Sequence, residues 1–420
     1  MNSKRSFIVI FILVVQSLVV LIGLTTDTDA TELEVGPGKT YTKIQDALDA
    51  ASAGDVIHVD AGNYSEKLLI TKSNIELLGA GVETTSLEFP YGDAQGVLVD
   101  IQADNVRISG FDIAVEGSQT KGILLDDGTS GSNISKNRFS AHGYNSSCVF
   151  LDHSASNSFY GNDMFLLNSL TCGFYIFDLC ADNNFDCNSI RVEASDSVGV
   201  LLTSYNTQNT ITNCVIDVEG TRSQGIWSYY SSNDNDFTKN IIDITGDWTF
   251  GIHVSRGCDL NLISSNTIDG HGEFSYGILL ENAGKSNRVT RNQITTVADR
   301  ADAVYLSFSN ENMVDNNTIE TSNEFSRGVF LWESSINSVV DNDILTSGYY
   351  SQGIYLYNGS DENAVSSNTL ETRGSEALAI ITARSDGNTV SDKIPGECSC
   401  NFSAVVRAPS GAYYGYSRHA

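Results

Sequence analysis

Residues 251–268 read Gly-Ile-His-Val-Ser-Arg-Gly-Cys-Asp-Leu-Asn-Leu-Ile-Ser-Ser-Asn-Thr-Ile. Gly251 opens a short β-type run, and Asn261 starts a cassette of the form Asn-x-hydrophobic-x-x-Asn-x-hydrophobic. The same cassette stands at Asn157, Phe159, Asn162 and Met164, and again at Asn363, Val365, Asn368 and Leu370. Gly96, Gly122, Gly173, Gly199, Gly225, Gly251, Gly277, Gly328 and Gly353 recur at steps of 25 or 26 residues or simple multiples, with Cys148, Ala303 and Ala379 in the missing places. A fixed period of this length marks a repeat architecture. If one repeat is one turn of a solenoid, equivalent positions stack at the inter-strand spacing of about 4.8 Å, and columns of like residues become ladders.

Two columns are then inward: one runs from Ile108 through Phe159, Phe185 and Ile263 to Val365, the other from Ile113 through Met164, Ile216 and Ile268 to Leu370. Between them lies an Asn column of Asn137, Asn162, Asn188, Asn240, Asn266, Asn292, Asn317, Asn342 and Asn368. Asn tolerates left-handed φ at a turn, and its amide bonds to the same amide above and below, so these positions are expected to be structural. Leucine-rich, helical and propeller repeats need other frames or periods. The chain resembles the right-handed parallel β-helix proteins of the pectin-lyase-like superfamily, over roughly residues 35–394. The expected fold is all-β: a single-stranded right-handed parallel β-helix of about twelve to thirteen coils with an N-terminal capping helix.

Residues 31–64 read as the cap and first strand, 65–394 as the repeats, and 395–420 as a closing tail that carries Cys398, Cys400, Tyr413, Tyr414 and Tyr416. Thr42-Lys43-Ile44-Gln45 has the form of a capping box, with Ile44, Ala47, Leu48 and Ala51 on one helical face. Such a helix would plug the first coil and shield its strand edges. Gly54 ends it, Val56, Ile57 and Val59 begin the first strand, and Asp60-Ala61-Gly62-Asn63-Tyr64 resembles the opening turn of the superfamily.

The chain has 420 residues, 41% hydrophobic and 18% charged, which is too apolar for a disordered polymer. With 52 Asp and Glu against 24 Lys and Arg, the formal charge of −28 repels phosphate backbones, so nucleic acid is excluded as a partner. Lys4 and Arg5 precede an apolar run from Phe7 to Leu24, and Thr28-Asp29-Ala30 follows. Residues 1–30 therefore read as a secretion signal cut after Ala30 or as an uncleaved anchor, and either reading exports the rest. The expected location is secreted or cell surface, with membrane contact only through the N-terminal segment.

In each strand the second and fourth residues after the Gly column face solvent. That puts Phe150, Tyr175, Trp227, His253, Tyr305, Phe330 and Tyr355 in one outward column, with Phe177, Tyr229, Trp332 and Tyr357 beside them. Tyr175, Trp227, Tyr229, His253, Tyr305, Trp332, Tyr355 and Tyr357 are the candidate substrate-binding residues, since flat rings stack on sugars. Aromatics also suit strands and stack on one another, and that reading stays open.

Asp100, Asp126 and Asp152 are expected in one outward column of three consecutive turns, with Asp127, His153 and Asp178 in the next. Carboxylates one coil apart lie near 5 Å and those two coils apart near 10 Å, a span that suits the acid, base or nucleophile pairs of glycoside hydrolysis. Asp126, Asp127, Asp152, His153 and Asp178 are the candidate catalytic residues, and Asp100, Asp126 and Asp152 a candidate calcium site; no other cofactor is implied. The resemblance to β-helix polygalacturonases implies acid and base roles for Asp126, Asp127 and Asp152 and a supporting role for His153. That family's flanking Gly-His-Gly and basic clamp are absent. A calcium-dependent lyase needs an Arg base, and Arg256 lies four coils from His153. Three Met and six scattered His argue against soft-metal delivery.

Eight Cys in an exported chain suggest disulfides, with Cys148–Cys172 and Cys187–Cys214 in adjacent coils; free buried thiols are the rival account. Sequons at Asn63, Asn133, Asn145, Asn316, Asn358 and Asn401 permit glycosylation. Two functions are carried forward. One is noncatalytic binding of an extracellular polysaccharide or an envelope structural role, and the other is cleavage of such a glycan by hydrolysis or calcium-dependent elimination.

Overall fold

A computed structural model describes residues 30–391 and the backbone of residues 405–408. The leader up to residue 29 and, apart from that strand backbone, the closing tail with its cysteines, tyrosines and Asn401 lie outside the described residues. All strand pairs are parallel, in three sheets of 15, 14 and 13 strands, and each chain turn contributes one strand to each sheet. One turn runs from Lys121–Leu125 in the 14-stranded sheet to Asn133–Ser135 in the 15-stranded sheet and Arg138–Ala141 in the 13-stranded sheet. Ser147 then returns to lie beside Lys121.

The two apolar columns are vertical files. Ile134, Phe159, Phe185 and Ile211 are paired in one, and Phe139, Met164, Ile190 and Ile216 in the other. All are buried, and Phe159 and Phe185 stack with centroids 4.7 Å apart. Asn162 Nδ2 donates to Asn188 Oδ1 at 3.0 Å, Asn240 to Asn266 at 3.1 Å and Asn266 to Asn292 at 2.9 Å. The same amide nitrogen also donates to a strand carbonyl, as Asn266 does to Phe237. A second Asn file accompanies the first, with Asn183 on Asn209 at 2.9 Å and Asn209 on Asn235 at 3.0 Å. A third file uses hydroxyls: the amide of Ser197 donates to Ser223 Oγ and that of Thr249 to Ser275 Oγ.

The left-handed residue is not the Asn but the one before it: Lys136 (φ 56), Lys239 (φ 58), Ser265 (φ 58) and Arg291 (φ 55). That residue turns the chain and sends its own side chain out, which leaves the Asn amide pointing into its file. The Gly column is steric in origin. A Cβ on Gly173, Gly199, Gly225 or Gly251 would lie 2.6 Å from the carbonyl oxygen of the glycine one coil on.

Gly96 does not belong to that column. Val97 pairs with Lys121 and Val99 with Ile123, so Leu98 takes the place expected for Gly96. The step from Val97 to Lys121 is 24 residues, whereas that from Lys121 to Ser147 is 26. The short coil shifts everything before it by two positions.

The helix Ile44–Ala50 forms as expected, with Ile44, Ala47 and Leu48 buried against the first coils. Its cap differs from the capping box. Lys43 is the N-cap residue and makes no side-chain cap bond. The Glu66 carboxylate accepts from the Ile44 and Gln45 amides at 2.8 and 3.1 Å, so an acid from the next coil satisfies the orphan donors. A strand at Glu32–Val35 precedes the one at Val56–Val59 and pairs with it.

All six described cysteines are free thiols. Cys172 pairs with Ser147, one position away from Cys148, and neighbouring positions in a strand face opposite sides. Cys214 replaces an Asn in its file, and burial pushes its thiol up to about 12. Cys187 sits exposed on a left-handed residue.

Asn266→Ala removes two buried donors and leaves Asn240 without its acceptor, so it should cost about 1–3 kcal/mol. Cys214→Asn, which restores the file, should not lower the melting temperature. Thermal denaturation by circular dichroism checks both.

Candidate functional site

The outer face of the 14-stranded sheet carries both predicted clusters. Phe150, Tyr175, Leu201, Trp227, His253, Leu279, Tyr305, Phe330 and Tyr355 form one file of paired neighbours. Phe177, Tyr229, Trp332 and Tyr357 lie two positions further along their strands, as expected. Many of these rings are not open platforms. Trp227 stacks on His253 (5.5 Å, 2°), Tyr305 on Phe330 (4.8 Å) and Phe330 on Tyr355 (5.4 Å), so ring faces point along the helix axis and edges point outward. Arg327 lies 3.5 Å above Phe330 and is held by the fully buried Asp302 at 2.7 Å. His253 is only 5% exposed. Trp332 is the open member at 39% exposure, edge-to-face with Tyr357.

Sequence reasoning missed a second aromatic file at the corner before this sheet. Trp248 stacks on Phe274 at 4.2 Å, Arg300 caps the Phe274 and Phe325 rings, and Phe325 stacks on Tyr350. Its residues are left-handed turn positions, where loop composition hides the periodicity.

The acidic cluster is brought together only in part. Leu125 pairs with Leu151, which aligns Asp126 with Asp152 and Asp127 with His153; Asp152 pairs with Phe177, which aligns His153 with Asp178. Asp100 pairs with Leu124, because the short coil moves it two positions out of the Asp126 file. The predicted three-carboxylate calcium column is therefore not formed. Among the described residues no three His, Cys, Asp or Glu side chains converge to hold a metal ion.

His153 Nδ1 lies 2.6 Å from Asp152 Oδ1, and its Nε2 lies 3.5 Å from Asp178 Oδ2. The hydrogen bond to Asp152 raises the imidazole above its ordinary value, and the charges of Asp152, Asp178 and Asp127 add to this. His153 is left-handed (φ 46), as are Asn282, Phe308 and Glu333 in the same file, so this backbone belongs to the coil rather than to the chemistry. Asp100 is raised by burial; its Oδ2 accepts from Gln102 at 2.9 Å and its Oδ1 is buried without a partner.

Lys121 is the residue that sequence reasoning overlooked. Its ammonium lies 3.6 Å from the Phe150 ring, and burial lowers its pKa against the opposing pull of Asp152, Asp126 and Asp100. A basic residue directly before the Gly column, among acids in neighbouring coils, was the available signal. An open cleft of about 210 Å³ adjoins the cluster, lined by Thr71, Gln102, Asp104, Asp127 and Thr129 among others.

The chain belongs to the family described as the right handed beta helix region, which it matches over residues 121–294 and 250–396. Among solved structures it is similar to the catalytic domain of a GH87 alpha-1,3-glucanase in complex with nigerose, at 15% identity and TM-score 0.54, covering 92% of this chain and 70% of that one. It is also similar to the tailspike protein of E. coli bacteriophage HK620 in complex with a pentasaccharide, at 12% identity and TM-score 0.56, covering 83% of this chain and 73% of that one. A cell surface glycoprotein of Methanothermus fervidus is 32% identical over 100 residues, a match that spans 23% of this chain and 16% of that protein. At these identities the solved structures show the fold alone, that of pectin-lyase-like β-helices.

His153 should titrate above 6.5 in NMR, and Asp152→Asn should bring it down. Because the folded value is raised, its contribution to stability is fully present below the unfolded pKa of about 6.5 and is lost as pH rises through the folded value. Unchanged titration in Asp152→Asn would contradict the pairing.

Proposed function

We propose that this protein is an exported β-helix, secreted or held at the cell surface, that binds an extracellular polysaccharide without cleaving it or builds part of an envelope. The observation that carries this reading is the aromatic outer face of the 14-stranded sheet, where Trp332, Tyr355 and Tyr357 offer an exposed ring, ring edges and hydroxyls. Rigid aromatic side chains supply apolar contact at low entropic cost, and parallel coils repeat the contact along the axis. The sugar ligands named for the glucanase and tailspike structures, and the surface location named for the glycoprotein relative, support it. The acidic surface favours neutral or cationic polymers over anionic ones.

A second reading, glycan hydrolysis, rests on Asp152, His153 and Asp178 bridged in adjacent coils, with Asp126 and Asp127 beside the open cleft. In that reading Asp126 and Asp152, about one coil apart, would share the acid and base work. His153 would hold Asp152 in place.

Residues 31–420 incubated with a polysaccharide panel, with and without calcium, separate the two. Binding without new reducing ends, weakened about tenfold by Trp332→Ala, is the expected result. Reducing-end release abolished by the Asp126→Asn/Asp152→Asn pair would establish the second reading instead, and release that survives this pair would remove the acidic cluster from consideration.

A further inference from the structure

At the centre of the aromatic face two acceptors meet with no donor between them. His253 Nδ1 lies 3.0 Å from Gln224 Oε1, an acceptor, so the ring proton is on Nδ1 and Nε2 carries a lone pair. That Nε2 is buried without a hydrogen-bond partner. Glu281 Oε2, which is acceptor-only when ionised, stands 3.4 Å away. Burial lowers the His253 imidazole, and the contact with His253 lowers Glu281, so neither group readily takes up the proton that would join them.

No neighbour relieves the conflict. The Trp227 indole N–H is committed to Ser255 Oγ at 2.9 Å, and Arg256 lies over the Tyr229 ring at 5.1 Å while acting on Glu281 only through its charge. An unpaired acceptor in a buried position costs about 1–3 kcal/mol, and here it faces a second one. The surroundings are otherwise finished: His253 is stacked on Trp227 and edge-on to Phe250. The Glu281 side chain is half exposed, so its rotation opens Nε2 to the outside.

We infer that His253 Nε2 and Glu281 Oε2 form a hydroxyl-binding subsite, in which a hydroxyl of an uncharged sugar donates its proton into the gap between them, with the Trp227 and Tyr229 ring edges alongside. The inference rests on the glycan-binding reading of this face and names its centre and its ligand class. An anionic sugar is disfavoured because its carboxylate would bring a third acceptor to a site that already holds Glu281.

Glu281→Gln and His253→Phe test it on residues 31–420, with neutral oligosaccharides as probes. The side-chain amide that Glu281→Gln introduces can donate to Nε2 and close the gap from within. This substitution is expected to keep or raise the melting temperature while weakening oligosaccharide affinity about tenfold or more. His253→Phe keeps the stack on Trp227 and should weaken affinity to the same degree. In the wild type, the ¹⁵N resonance of His253 Nε2 should move as the nitrogen accepts a hydrogen bond from the ligand. Affinities within about twofold of wild type in both variants, with an unmoved Nε2 resonance, would overturn the subsite and leave the face as a binding surface through Trp332. Wild-type protein that binds no member of the panel would overturn the subsite and the face together.

Discussion

The buried amide ladders are the constraint on which the architecture depends. In the Asn162 and Asn266 files each side-chain oxygen accepts from the backbone and side chain of the coil before it, and each side-chain nitrogen donates to the coil after it and to a strand carbonyl. A buried amide without these partners is costly, so an Asn is stable in this position only when another stands one coil away. The ladder therefore fixes the register of strands that have little else to distinguish them. It also explains why an ordinary residue can occupy the left-handed position next door, since the strain there is offset by bonds that a displaced coil would lose.

Once the register is set, the outer faces follow. Side chains with 25- or 26-residue separations become neighbours, and any chemistry written into one column is presented as a file. This produces continuous ring stacks on the 14-stranded sheet, and it equally consumes ring faces, so that what the face offers a ligand is decided by interruptions. Trp332 interrupts by standing open, and His253 with Glu281 interrupts by leaving a lone pair unanswered.

Much of this is legible in the sequence because stacking turns periodicity into geometry. The Gly column, both apolar columns and the first Asn file need only a count of residues. The reading fails where the count fails or where the partner is distant. Counting puts Asp100 in the Asp126 file because Gly96 lies at the expected step, and a coil two residues short is then invisible. Thr42 has the composition of a helix cap, but Glu66 caps the helix across the coil. Lys121 lies within the acidic cluster in space and outside it in motif terms. Glu281 is hidden for a related reason: its importance comes from facing His253 one coil away, not from its own surroundings in sequence.

The ladder claim is most directly tested by pulsed electron-paramagnetic-resonance distances between spin labels on the outward file of the 13-stranded sheet, in a Cys187→Ser background. Ser189, Gln293, Asp343 and Thr369 are exposed members of that file, the last three lying four, six and seven pairings from Ser189 in turn. Labels at 189/293, 189/343 and 189/369 should give distances near about 19, 29 and 34 Å, rising by about 4.8 Å per coil. Distances that fail to grow in proportion to the number of intervening coils would contradict the stacking, and with it every side-chain file that depends on it.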